Sequence, residues 1–256
     1  MDWLAYDHYL YAAAALLGTF VAAWVLLQVL CGPRWSHAVA GIAGVVPPFI
    51  NVLGVLFGLT LAFLANDTWN AHDRALAAVN READALHAIA VLAGHLPAAD
   101  TVLVDGAVRD YARAALGEWP MLSRRKTSPV AMQAADRLLG VLSDPHLAAV
   151  GGAAAAEQDI ALALTVRDAR ETRLALSQTH VNPLKWAGMA VLGFLTMVSV
   201  AVVHVGNPRA MRVAVALFAL ASAPTAVIVL IHGNPFQPPA AVSAAPLAAV
   251  LPGVSR

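Results

Sequence analysis

The chain has 256 residues, 59% hydrophobic and only 12% charged, with 16 basic and 16 acidic side chains. A soluble domain carries roughly a quarter charged residues, so a mean hydropathy of +0.67 excludes a protein solvated by water throughout, and zero net charge offers no basic surface for nucleic acid. Cys31 is the single cysteine, which excludes an internal disulfide.

Charge is unevenly placed. Apart from Asp2 and Asp7, every acidic residue lies between Asp67 and Glu171, and only Arg34, Arg209, Arg212 and Arg256 stand outside the same basic region that ends at Lys185. This pattern predicts membrane spans around one aqueous insert. The expected fold class is all-α, divided as 1–65 (spans one and two), 66–185 (insert), 186–232 (spans three and four) and 233–256 (an Ala/Pro-rich tail).

Crossing a hydrocarbon core takes about 20 apolar residues. Leu10 to Leu30 meets that need and reads as a retained span, because it lacks a basic n-region and a clean cleavage site. Trp3, Tyr6, Tyr9 and Tyr11 gather at its start, as amphipathic rings do at an interface. The second span runs from Ala38 to Ala65. Pro47-Pro48 removes two backbone donors near its start and predicts a bend or restart there. Asn51 is a polar side chain at membrane depth, and Gly54, Gly58 and Thr60 offer close helix contacts.

Nothing stops this second helix at Asn66-Asp67. Apolar positions continue at Trp69, Leu76, Val79, Ala83, Leu86 and Ala90, spaced as one helical stripe. A polar stripe follows Asn66, Asn70, Asp73, Asn80, Asp84 and His87, and Pro97 ends the pattern. One rod from Phe49 to Leu96 is expected, roughly 70 Å long at the α-helical rise. The apolar face of its membrane part, Phe49, Val52, Leu56, Phe57 and Phe63, is a candidate pore neck, since apolar constrictions can gate by dewetting. Asn66, Asn70 and Asp73 are candidate vestibule residues. Ordinary helix packing is the competing reading of the same face.

Next, a helix is expected from Asp100 to Glu118, broken by Trp119-Pro120. Another begins at Ser128-Pro129, turns fall at Ser143 to His146 and at Gly151-Gly152, and a last insert helix spans Ala153 to His180. Spans three and four run from Trp186 to Val203 and from Val213 to Ile231. Gly233 to Phe236 is a turn in which Asn234 caps backbone groups and Phe236 returns to the interface. The tail beyond it is either a strap against a neighbour or disordered.

The nine histidines form no ligand pattern, so no metal is expected. There is no Gly-x-Ser-x-Gly and no phosphate loop, so neither an enzyme nor a cofactor is expected. Charge-coupled transport needs ionisable groups inside the spans, and the four predicted spans contain no Asp, Glu, Lys or Arg. Asn51 and Thr60 alone do not build a carrier's midplane site.

Four spans place both termini and the insert on one side. Arg34, Arg209 and Arg212 in the short loops favour a periplasmic insert by the positive-inside rule. Arg74, Arg81, Arg173 and Lys185 on the insert side weigh the other way.

Several motifs together resemble the bestrophin-like domain family of bacterial membrane proteins. They are Gly58 to Phe63 closing span two, and the exit Asn66-Asp67 with Trp69 and Asn70. Glu118-Trp119-Pro120 follows, then Asn234-Pro235-Phe236 with Ser243 to Leu247 after the last span. The resemblance covers nearly the whole chain. It implies a bacterial inner-membrane protein, with a more distant similarity to true bestrophins, which are pentameric ion channels with an apolar neck on span two. The chain departs from these in lacking an acidic calcium-clasp cluster, and Phe49, Phe57 and Phe63 are all that remains of an aromatic-rich neck. The implied partners are the lipid bilayer, ions and further copies of the chain. The alternative function is a non-conducting membrane scaffold or sensor whose insert binds a partner or signal.

Overall fold

A computed structural model of the chain describes residues 6–32, 39, 41 and 46–251. Trp3, Arg34, Arg256 and the first part of the expected second span lie outside the described residues. The fold is all-α, with no strand among the described residues. Its helices are α1 (Asp7–Leu30), α2 (Pro47–Ala93), α3 (Ala98–Leu122), α4 (Pro129–Leu142), α5 (Pro145–Gly151), α6 (Ala153–Ser177), α7 (Pro183–Val203), α8 (Pro208–Ile231) and α9 (Ala245–Ala249).

Four of them, α1, α2, α7 and α8, are long and apolar enough to cross a membrane. The protein is a multi-pass membrane protein. Four helices start on a polar cap followed by proline. Ser128, Asp144, Asn182 and Asn207 accept hydrogen bonds from first-turn amides, while Pro129, Pro145, Pro183 and Pro208 occupy positions whose N–H has no helical partner. The last pair moves a boundary. Asn207-Pro208 starts α8 well before Val213, so Arg209 and Arg212 belong to its first turns and not to a loop.

The described residues divide into two compact units: those within 6–69 with 180–233, and 70–179 with 234–251. In the membrane unit, α1, α7 and α8 share a core of Ala23, Leu26, Met197, Ala201, Met211, Val215 and Ala219. α2 joins it through Leu61, Leu64 and Ala65, which meet Met189 and Val229. Small side chains at these seams let spans approach closely where no hydrophobic driving force separates helix from lipid.

The insert unit is a helical bundle with heptad seams. Buried residues recur at alternating steps of four and three on α2 (Ala75, Val79, Glu82, Leu86, Ile89, Ala93), α3 (Val104, Val108, Tyr111, Ala115, Glu118, Leu122) and α6 (Asp159, Ala163, Val166, Arg170, Arg173, Ser177). This is the knobs-into-holes spacing. The α2 seam corrects the expected apolar stripe: Val79, Ala83 and Leu86 are buried, but Trp69 and Leu76 are exposed. Ala75, Glu82 and Ile89 are the true core positions. α2 ends at Ala93, where Thr101 of α3 donates to the Ala93 carbonyl at 2.8 Å.

Two other expectations are corrected. Pro120 does not break the helix, since α3 runs through it to Leu122; so near the end, the missing N–H costs little further helix. Between the two expected turns lies the short helix α5, nucleated by the Asp144 cap.

Candidate functional site

α2 is an unbroken helix of 47 residues, and its membrane part is thinly packed by its own chain. Only 6% of its apolar stretch is buried, against 11% in α1, 33% in α7 and 28% in α8. From Pro47 to Thr60 no residue of α2 is buried.

Along this stretch Phe49, Val52, Leu56, Leu59, Phe63 and Asn66 are all exposed and follow each other at alternating steps of three and four. Steps of that kind keep side chains on one face. Four of the five expected neck residues therefore share a face with the vestibule residue Asn66. Leu59 belongs with them and was legible from the same spacing. Phe57 does not. It is half-buried, its ring centroid lies 5.6 Å from that of Phe218, and a Cβ at Gly193 would come within 2.9 Å of its ring.

Asn51 flanks this face and is exposed. No side-chain hydrogen bond of Asn51 is found among the described residues. Asp67 pairs with Lys185 at 2.8 Å, both being exposed. In the insert unit the same spacing continues through Asn70, Asp73, Ala77, Asn80, Asp84 and His87, all exposed.

The remaining motif residues assemble a different site. Glu118 is fully buried and receives two hydrogen bonds from Arg170, at 3.1 and 2.6 Å, and one from the Ser128 amide at 2.9 Å. Arg173, equally buried, donates two 2.9 Å bonds to Glu82, stands 3.4 Å from Glu118 and lies over the Trp119 ring at 4.9 Å. Tyr111 donates to Glu82 at 2.6 Å. Burial, then the neighbouring Glu82 carboxylate, pushes its hydroxyl well above the ordinary tyrosine range. Two carboxylates and two guanidiniums thus neutralise each other inside the bundle, as buried charges must.

The stretch after α8 closes over this network. Phe236 is buried, not returned to a membrane interface, and meets Trp119 edge-on with ring centroids 5.7 Å apart. Asn234 donates to the Ser177 carbonyl and accepts from the Phe236 amide, Gln237 donates to the Ser123 carbonyl, and Trp119 donates to the Val242 carbonyl. As far as Leu251 the tail is a strap on its own insert. Arg170, Arg173, Glu82 and Tyr111 were missed by sequence reasoning. The available signal was a charge at a seam position: Glu82 sits between Val79 and Leu86, where the spacing calls for an apolar side chain.

A family model described as the Bestrophin-like domain matches residues 13–247 of the chain. Neither the curated proteins nor the solved structures return a match.

Proposed function

The chain belongs to the Bestrophin-like domain family, and on that premise we propose that several copies surround a shared axis and that α2 lines an ion pathway along it. The exposed face of α2 carries this reading. The apolar side chains of that face would sit well in lipid, but Asn51 beside them, exposed and polar, is costly in hydrocarbon. Turning that face toward other copies and a central space removes the cost, and closed cyclic symmetry does so for every copy at once. Phe49, Val52, Leu56, Leu59 and Phe63 then form the apolar neck, able to gate by dewetting. Asn66 opens a polar vestibule to which Asn70 and Asp73 contribute. Five copies in a bacterial inner membrane, with a periplasmic insert, is the arrangement we propose.

The test is reconstitution of the purified protein in planar bilayers, with Leu56→Ala and Phe63→Ala in parallel. Widening the neck should raise the leak of each variant above wild type. Silent bilayers for all three proteins, or a monomer by mass photometry, would reject the reading. The second reading, a non-conducting scaffold or sensor, draws on apolar side chains that the insert leaves in the open, Val102, Val130 and Leu164 among them. It is favoured if rings form without conductance.

A further inference from the structure

Within the membrane unit, α1, α7 and α8 enclose a half-open cavity of about 500 Å³, in the size range of ligand pockets. Small side chains open its middle, between larger ones: Ala15, Gly18 and Ala22 on α1, Ala190 on α7, Ala226 on α8. Elsewhere such residues bring spans together; here they leave room.

The cavity is a slot. On α1 its lining runs from Tyr11 to Ala22, on α7 from Trp186 to Met197, and on α8 from Leu230 back to Phe218. Each stretch covers about 16 Å of helix. Tyr11 and Trp186 stand together in register at one end, the end nearer Asp7 and His180, and such amphipathic rings mark the headgroup level.

What could fill the slot is constrained by its hydroxyls. Thr19 already donates to the Ala15 carbonyl, as Thr196, Ser199 and Thr225 do to carbonyls one turn back. Ser222 does not: its hydroxyl oxygen is buried in the wall without a partner among the described residues. With Thr19 already paired and Tyr11 at the mouth, the single unpaired hydroxyl deep in the slot does not offer water the two to four polar partners it needs. Leaving an apolar space of this size empty would cost an amount comparable to a domain's whole stability.

We propose that the slot holds one acyl chain of a membrane lipid, entering from the leaflet at the Tyr11 and Trp186 end and reaching past Ser222 toward Phe218. Phe57 closes the far wall against Gly193. The site does not depend on whether the assembly conducts.

The test uses full-length protein in phosphatidylcholine vesicles carrying a photoactivatable diazirine on the acyl chain, with labelled residues mapped by mass spectrometry. Slot residues from Ala14 to Ala22 and from Ala187 to Gly193 should be labelled several-fold more than Leu217, which faces outward on α8. Ala190→Phe and Gly18→Leu, which fill the slot from different helices, should each abolish the excess while Leu217 labelling stays. If one variant does not fold, the other decides. Slot labelling no stronger than at Leu217, or an excess that survives slot filling, overturns the proposal.

Discussion

The rings of Trp119 and Phe236 stand perpendicular, at an interplanar angle of 89° with centroids 5.7 Å apart. Two short motifs 117 residues apart, one near the end of α3 and one in the tail after α8, thereby become one site, with Arg173 over the same indole. Phe236→Ala should remove this contact at a cost of about 3–5 kcal/mol, the range for a buried phenylalanine. Thermal unfolding in detergent would measure it. Limited proteolysis should cut the variant between Gln237 and Ser243, where the wild type resists.

The network behind that contact is more sensitive to losing one charge than to losing a pair. Glu82→Ala leaves the Arg173 guanidinium buried without its two hydrogen bonds and should cost about 3–5 kcal/mol. Replacing Glu82 and Arg173 together by methionine should recover most of that loss. A double variant as unstable as the single one would show that the pair itself, not the orphaned charge, sets the cost.

Tyr111 sets an alkaline limit. Its hydroxyl pKa in the fold is raised, first by burial and then by Glu82. Below the ordinary value of about 10, tyrosine is protonated in both states and the contact contributes in full. Above it the unfolded side chain ionises first, so stability falls as pH rises through the folded value. Tyr111→Phe should lower stability at neutral pH by about 1.5–3 kcal/mol, the loss of a hydrogen bond to a charged group. It should also flatten the alkaline decline, read as melting temperature against pH.

Asp159 occupies a seam position of α6, and its Oδ1 is buried with no hydrogen bond among the described residues. Burial raises its pKa above the ordinary aspartate value. The folded state therefore loses stability as pH climbs past about 3.9 and the carboxylate must ionise in place. Asp159→Asn should melt higher than wild type at neutral pH and show no advantage at pH 3. An unchanged neutral melting temperature would mean that the carboxylate is solvated.

The α2 face predicts contacts between copies. In a Cys31→Ser background, Leu59→Cys should form disulfide-linked dimers under mild oxidation in membranes. Val213→Cys on α8, exposed to a similar degree, should form few. Equal cross-linking at both positions would place no special axis beside α2.

Much of the fold was written in local signals. Four apolar runs, the absence of any stop at Asn66, and cap-proline pairs at Ser128 and Asn182 follow from hydropathy, helical period and backbone chemistry, and each acts over a few residues. The all-α class and the exposed face through Phe49, Val52, Leu56, Phe63 and Asn66 were legible for that reason. Phe57 was not separable from Leu56 by composition. Only packing on Phe218 and Gly193 turns its ring away from that face.

The charged core was hidden in the same way. Glu82, Glu118, Arg170 and Arg173 look like surface residues in sequence, because a charge is expected to seek water. They are buried because three heptad seams bring opposite charges within hydrogen-bond distance, and no single helix carries that information. The strap shows the same limit. Asn234-Pro235-Phe236 announces a turn by itself, but its partners, Ser177 and Trp119, lie 57 and 117 residues earlier in the chain. Local chemistry determined where helices start, stop and become apolar; the tertiary structure decided which side chains face one another, because burial energy depends on what arrives from elsewhere in the chain.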